Sequence, residues 1–447
     1  MRKLSLKIIS LVCALGFVLL SGACEADNSP ILSDGAPRLE SQTDTTIAGM
    51  NRDNAFGFCE LPAEFTGSGS TEPETSIDFV VKTCEAFETK SIRVWMHMNT
   101  IFTRSDTSDE LYFKEDMVAL YHEYFSKLKQ AGVEQILVMN HQFIKPYDYY
   151  DQSGQCMPDP WNGEYDFYVR TLEIYETAYK MLQEEFSEIT YWEPGNELDA
   201  VQFLHKSDWV SGNDRVFTDY QLAYIAADLC WYANKGVKQV NENSVILAPG
   251  FTGGTKLTEM VNIFYDIIVN EKCLPTAEEY YDPDPDHYFQ IMAWHPYTTS
   301  SDRIDPETGE SDWHYDVDDI MTRSDAVYEV MKEYGDGDKK VWYTECGIAD
   351  SKYPGGEPMD EIYQYYLEEM FEREYVETAF FFRITNLWNF EENELESSHG
   401  VMYAQADPVN HGKPKPQAEV LYRFFKGDPN ADTSPIWWYY NSYMENE

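Results

Sequence analysis

The sequence predicts an α/β fold, a (β/α)8 TIM barrel, and three observations predict it. Eight short runs rich in β-branched and aromatic residues alternate with longer stretches of helical spacing. Nearly every run ends on a polar or aromatic side chain, which is where a barrel gathers its βα loops. No GxGxxG or Walker pattern follows any of the runs, which argues against a doubly wound sheet with a phosphate-binding turn. With 447 residues, 43% of them hydrophobic and 15% aromatic, the chain can bury one large core, and it contains no internal repeat.

Residues 1–24 read as a signal peptide. Arg2, Lys3 and Lys7 make a basic start, and the apolar run Ile8 to Leu20 follows. That run is too short to span a bilayer comfortably, and no later stretch reaches the roughly 18 apolar residues a membrane helix needs. Ser21-Gly-Ala-Cys24 resembles the bacterial lipobox, with Ser21 standing where Leu, Val or Ile is usual. The resemblance implies lipidation at Cys24 and a protein at the cell surface, anchored to a bacterial membrane. Plain cleavage and a free extracellular protein is the alternative. Residues 25–48, rich in Asp, Ser, Thr, Gly and Pro and without apolar periodicity, read as a flexible tether. Residues 49–447 then form the barrel.

The expected strands are Phe56 to Leu61, Ser91 to His97, Gln135 to His141, Ile189 to Glu197, Val245 to Phe251, Phe289 to Tyr297, Lys340 to Gly347 and Thr378 to Thr385. Between them, helical spacing marks Glu115 to Ala131, Asp166 to Phe186, Tyr220 to Lys235, Leu257 to Val269, Ile320 to Tyr334 and Glu361 to Arg373. Ala418 to Phe425 is the expected last helix.

Composition narrows the partners. Against 79 acidic residues stand 33 basic ones, a net charge of −46 that repels nucleic acid, anionic lipid and polyuronate alike. A neutral or cationic partner is expected, with membrane contact only through the N-terminal lipid, and the protein is expected to be a monomer. Beyond Cys13 and Cys24 lie Cys59, Cys84, Cys156, Cys230, Cys273 and Cys346, an even number that permits disulfides in an exported protein. Their wide spacing fixes no pairing and offers no CxxC, so no zinc site is read. Tyr281-Asp-Pro-Asp-Pro-Asp-His287 lacks the Gly and distal Glu of a calcium loop and reads as a solvated acidic turn. Trp437-Trp-Tyr-Tyr440 reads as packing on the barrel exterior, with a carbohydrate platform as the alternative.

The chemistry is carried by two acids. Glu197 closes Ile189-Thr-Tyr-Trp-Glu-Pro-Gly-Asn-Glu197, and Glu345 closes Val341-Trp-Tyr-Thr-Glu345. Two carboxylates presented at the ends of strands of one barrel can protonate a glycosidic oxygen and attack the anomeric carbon. Around them, Arg93 lies on the second strand, Asn140-His141 closes the third, His295-Pro-Tyr297 closes the sixth and Trp388 follows the eighth. Each has a blander reading: Arg93 as a salt-bridged barrel residue, His295 and Tyr297 as a satisfied core pair, His141 as a core histidine, and Trp388 as packing. The coincidence of so many polar residues at strand ends favours a site, because burying an unpaired charge costs several kcal/mol.

The pattern resembles clan A of the glycoside hydrolases, retaining barrel enzymes with an Asn-Glu pair ending strand four and a Glu on strand seven. The resemblance covers about Phe56 to Phe425, and its wording is closest to family thirty-nine or to family five-like enzymes, although Leu198 stands where the usual Asn-Glu-Pro has proline. It implies Glu197 as acid/base, Glu345 as nucleophile and Asn196 as a partner of the sugar 2-hydroxyl. By the same resemblance Tyr297 orients the nucleophile with His295 beside it, Arg93 holds Glu345 ionised, and Trp388 floors the subsite of the reacting sugar. His141 is similar to a strand-three histidine in some of these families. No cofactor is implied. The implied substrate is a β-linked plant-type oligo- or polysaccharide of the glucan, mannan or xylan class. Loop aromatics such as Tyr147, Tyr149, Tyr150, Trp161, Trp209 and Trp313 are available to line a cleft. Two other readings stay open: a non-catalytic carbohydrate-binding lipoprotein on a hydrolase-like barrel, and a lyase or aldolase, which would want a Schiff-base lysine or a metal cluster.

Overall fold

The computed structural model describes residues 56–446 apart from 67–75, 153–155, 201–202, 205–216, 255, 271–281, 298–300, 305–310, 315–316, 351–357 and 387–397. They belong to one compact unit, Arg52–Glu447. Cys24, the leader and the tether lie outside the described residues, as do Trp388, Trp209 and Cys273.

The strands are β1 (Phe56–Glu60), β2 (Ser91–Trp95), β3 (Gln135–Asn140), β4 (Tyr191–Pro194), β5 in two pieces (Val245–Ile246 and Phe251–Thr252), β6 (Met292–His295), β7 (Val341–Cys346) and β8 (Val376–Phe381). All neighbours pair in parallel. The nine strand segments form one sheet whose two ends are the two pieces of β5, so the sheet curls round and closes on itself. Bridges Asn196↔Gly250 and Leu247↔Ile291 complete the seam. This is the expected barrel, with the fifth strand broken. Pro249 has no N–H to give a ladder, and the Gly250 N–H donates to the Glu193 carboxylate instead of to a neighbouring strand, so the ladder is interrupted there.

The helices that follow each strand are α1 (Ile77–Phe87), α2 (Glu115–Gln130), α3 (Tyr165–Glu185), α4 (Asp219–Lys238), α5 (Leu257–Asn270), α6 (Val317–Glu333), α7 (Met359–Glu372) and α8 (Pro416–Lys426). Local chemistry sets several of their ends. Thr218 and Gln221 form a reciprocal capping box at the start of α4, Ser76 accepts from the Phe79 N–H at the start of α1, and Gly427 takes the left-handed conformation that stops α8. Short hairpins, Phe102–Arg104 with Leu111–Phe113 and Ser301–Ile304 with Ser311–His314, decorate the loops after β2 and β6.

Cys59, Leu137, Leu247, Ala293, Trp342 and Phe380 come from six different strands and meet in one buried cluster, which places them inside the barrel. Tyr191 lies against Trp342 there, ring centres 4.9 Å apart. The apolar plug fills the lower barrel and leaves the strand ends above it to polar side chains. On the outside, the C-terminal helix α9 (Trp438–Asn446) lays Trp438 and Tyr439 on Phe79 of α1, at 5.6 and 4.8 Å, so this aromatic cluster packs rather than forming a platform. In the acidic turn Asp282 bonds His287 at 2.6 Å and Asp284 caps the turn Pro285–His287, so two of its three aspartates are engaged in holding local backbone. Among the described residues Cys59, Cys84, Cys156, Cys230 and Cys346 are buried free thiols, none of them bridged. Among the described residues no helix is long and apolar enough to cross a membrane.

Candidate active site

Two backbone irregularities decide which side chains reach the barrel mouth. Regular pleating sends successive side chains to opposite faces, so Tyr191 and Glu193 of β4 point inward while Trp192 points out to Gln183 of α3. Continued pleating would turn Asn196 away from the site that Glu197 faces. Gly195 breaks the alternation with φ +107°, a conformation open to glycine, and Glu197 follows with φ +46°. Asn196 and Glu197 thereby both face the mouth. Glu197 is held by its N–H donating to the Gly250 carbonyl at 2.9 Å. On β7 the register against β8 shifts between Tyr343 and Cys346. Adjacent Thr344 and Glu345 then both serve the site, while Cys346 packs away from it as a buried thiol.

Arg93, fully buried on β2, is the hub. Its Nε donates to Glu193 Oε2 at 2.6 Å, Nη1 to Glu345 Oε1 at 2.6 Å and to Cys59 Sγ at 3.2 Å, and Nη2 to Asn196 Oδ1 at 2.8 Å. Burial works against its charge, but Glu193, Cys59 and Glu345 together hold the guanidinium protonated well above the usual arginine range. Glu345 Oε2 accepts from the Tyr297 hydroxyl at 3.2 Å, and burial keeps that phenol protonated. His295 Nδ1 lies 2.8 Å from Glu197 Oε1 and 3.8 Å from Glu345 Oε2, and its Nε2 lies 3.1 Å from Thr344 Oγ1. Burial lowers His295 to about 4, so near neutrality the ring is uncharged and has a single N–H to share between Glu197 and Thr344.

Burial also raises Glu197 to about 7, with Arg93 opposing the shift and Glu193 adding to it. Near neutral pH the mouth therefore holds a carboxyl able to keep its proton beside a second carboxyl ion-paired to a guanidinium. Oxygens of the two lie within 4.8 Å of each other and of a His295 nitrogen. That arrangement can donate a proton on one side of a bond and present an oxygen nucleophile on the other. The same three donors are within reach of a metal ion. A cation there would face the Arg93 guanidinium, already 2.6 Å from Glu345, so the charge of this donor set is spoken for.

Of the residues expected from sequence, Arg93, Asn196, Glu197, His295, Tyr297 and Glu345 form one hydrogen-bonded cluster. His141 is buried after β3, with its ring 6.0 Å from His97 and 5.4 Å from Phe203. Beside Tyr297 stands His399, ring centres 5.4 Å apart, with Phe382 at the end of β8 a further 6.1 Å from His399. Glu193, Cys59 and Thr344 are members that strand-end reasoning passes over, because they sit below the ends. Glu193 has a signal: it shares the inward face with Tyr191, and an inward arginine needs counter-charge.

No family model matches the chain, and no curated protein matches it. Solved structures do. A family 39 glycoside hydrolase from Xanthomonas axonopodis pv. citri aligns over 84% of this chain and 67% of its own, with TM-score 0.53 and 13% identity. A monomeric β-xylosidase from Caulobacter crescentus aligns over 84% and 68%, with TM-score 0.52 and 13% identity. The GH5_18 enzyme of Bifidobacterium longum, solved as a variant in complex with Manβ1-4GlcNAc, aligns over 85% and 79%, with TM-score 0.54 and 12% identity. A second family 39 hydrolase, from Bacteroides cellulosilyticus, is spanned over only 64% of its length. The fold is that of the TIM-barrel glycoside hydrolases.

Proposed function

We propose that this chain is a retaining glycoside hydrolase that cleaves a β-linked plant-type oligo- or polysaccharide by double displacement. The observation that carries the reading is the pairing of Glu197, raised to about 7, with Glu345 within 4.8 Å. Retaining enzymes hold their carboxyl groups roughly 5 to 5.5 Å apart, whereas inverting ones leave room for a water between them. Glu345 attacks the anomeric carbon while Glu197 protonates the departing oxygen. Glu197, then ionised, takes a proton from the water that releases the sugar. Arg93 and Tyr297 each fix one oxygen of the attacking carboxylate, and neutral His295 fixes the acid without adding charge. Asn196, tied to Arg93 through its oxygen, is assigned to the sugar 2-hydroxyl, and His141 and Trp388 to sugar contacts at the mouth. The neighbouring family 39 and family 5 enzymes and the β-xylosidase support a β-glycoside as substrate.

Product release from β-glucan, β-mannan, xylan, galactan and arabinan tests this, with Glu345→Gln as control. Release from one polymer with retained anomeric configuration, absent in the variant, is the expected result. Binding to a polymer without release from any polymer or aryl glycoside would replace the reading with a non-catalytic binding protein. The N-terminal segment supports export and anchoring through Cys24, and a monomeric state is proposed with it. Loss of membrane partition in Cys24→Ser is the expected outcome, and unchanged partition would refute the anchor.

A further inference from the structure

Cys59, fully buried on β1, stands where the apolar plug meets the site. On one side it packs with Leu137, Leu247, Trp342 and Phe380, which is how a small hydrophobe is used. On the other side its sulfur has neighbours that a hydrophobe would not need. Arg93 Nη1 donates to Cys59 Sγ at 3.2 Å and Trp95 Nε1 donates to it at 3.1 Å, while the sulfur lies 3.9 Å from Glu345 Oε1.

The direction of each bond follows from the groups. A guanidinium and an indole N–H can only donate, so both of those contacts use the sulfur as acceptor. Burial pushes the Cys59 thiol up to about 12, with Arg93 opposing the shift and Glu345 adding to it, so near neutral pH the sulfur carries its hydrogen. That hydrogen is left to Glu345 Oε1. The contact is long because sulfur is large and S–H is a weak donor. Oε1 is thereby held twice, by Arg93 Nη1 at 2.6 Å and by the thiol. The same sulfur fixes Trp95, whose ring centre lies 5.6 Å from the Arg93 guanidinium.

We infer that Cys59 is a positioning residue for the reaction, its thiol setting Glu345 Oε1, Arg93 and Trp95 in one arrangement. The role rests on the hydrolase reading. A carboxylate that attacks a carbon must arrive along a fixed line, and two donors converging on one oxygen restrain a rotation that a single donor leaves open. Packing and positioning make opposite demands on this side chain. Packing is served better by alanine than by serine, whose hydroxyl would be buried beside Leu137 and Phe380. Positioning is served by serine, which keeps a donor and an acceptor, and is lost in alanine, which takes away the acceptor of the Trp95 N–H.

The contact and its effect are read separately. The S–H stretch absorbs in an infrared window clear of other protein bands, and subtracting the spectrum of Cys59→Ser isolates the Cys59 band. Repeating the pair in a Glu345→Gln background replaces a carboxylate acceptor by a neutral amide, so the band should move to higher frequency as its hydrogen bond weakens. A band that stays in place would overturn the contact, and no turnover is needed to see it. Attack is read as release of dinitrophenolate from dinitrophenyl 2-deoxy-2-fluoro-β-glucoside, -mannoside and -xyloside. There Glu345 bonds to the anomeric carbon while the phenolate leaves with the electron pair of the broken bond, without a proton from Glu197. Cys59→Ala should slow the saturating rate roughly tenfold with little change in the half-saturating concentration, and Cys59→Ser should recover most of that loss. Alanine as fast as serine would return Cys59 to packing alone. An alanine protein that does not fold is replaced in the comparison by Cys59→Val, which fills the space without the polar contacts. Release from none of the glycosides by the parent protein counts against the hydrolase reading, and the infrared band still decides the contact.

Discussion

Arg93 Nε donates to Glu193 Oε2 at 2.6 Å inside the barrel, with both side chains fully buried. The pair is the foundation of the candidate site, because Glu193 Oε1 also accepts the Gly250 N–H at 3.0 Å while the Gly250 carbonyl holds Glu197. One carboxylate therefore fixes the guanidinium under Glu345 and the backbone under Glu197. Breaking a buried pair leaves charge uncompensated, so Glu193→Gln should lower stability by on the order of 2 kcal/mol, Glu345 still partnering Arg93. Since the Glu193 charge helps raise Glu197, the basic limb of the kcat/KM profile should move to lower pH. A limb that stays in place would show that Glu193 acts on the fold alone.

The two carboxyl groups should separate by leaving group. Glu197→Gln removes the proton donor, so turnover of an alkyl glycoside should fall roughly a thousandfold, while a dinitrophenyl glycoside, whose leaving group needs no proton, keeps most of its rate of glycosyl transfer. Glu345→Gln should lose both. Equal losses for the two substrates in Glu197→Gln would remove it from the acid role. In the intact protein the basic limb should lie near pH 7, where Glu197 loses its proton.

Stability should carry the same titration. Glu197 is raised from 4.5 to about 7 in the folded protein, so the folded state binds the proton more tightly than the unfolded one between those values. Its contribution to stability is therefore greatest at low pH and falls as pH rises from about 4.5 to about 7, by up to a few kcal/mol. Glu197→Gln should flatten that part of the curve of unfolding midpoint against pH. Parallel curves for the two proteins would contradict the shift.

Gly250 is a steric prediction. An added Cβ would stand 2.2 Å from His295 Nε2 and 2.6 Å from Thr344 Oγ1, so Gly250→Ala must push the histidine off Glu197 or part β5 from β6. We expect a loss of roughly 1–3 kcal/mol in stability and a fall in kcat larger than any change in KM. Wild-type kcat in the alanine protein would show that His295 does not depend on this close approach.

Much of the fold was legible in the chain, for a physical reason. Strand runs and helical spacing record which faces must be buried, and that record is local, so the eight units and the two terminal glutamates could be read in order. The fifth strand could not be read as two pieces, because the bond from the Gly250 N–H to Glu193 is a contact between different strands. Trp388 remains an expectation outside the described residues.

What the sequence by itself determined is the barrel, its acidic surface and the residue types at the strand ends, since periodicity and composition are properties of the chain alone. Only the tertiary structure decided that Asn196 and Glu197, and Thr344 and Glu345, share the mouth in adjacent pairs, through a positive-φ glycine and a register shift that no alternation pattern encodes. It also decided the charge balance. Arg93, Glu345 and the Glu193–Glu197 segment lie far apart in sequence, and the protonation of Arg93 and Glu197 follows from burial and neighbouring charge, which exist only once the sheet has closed.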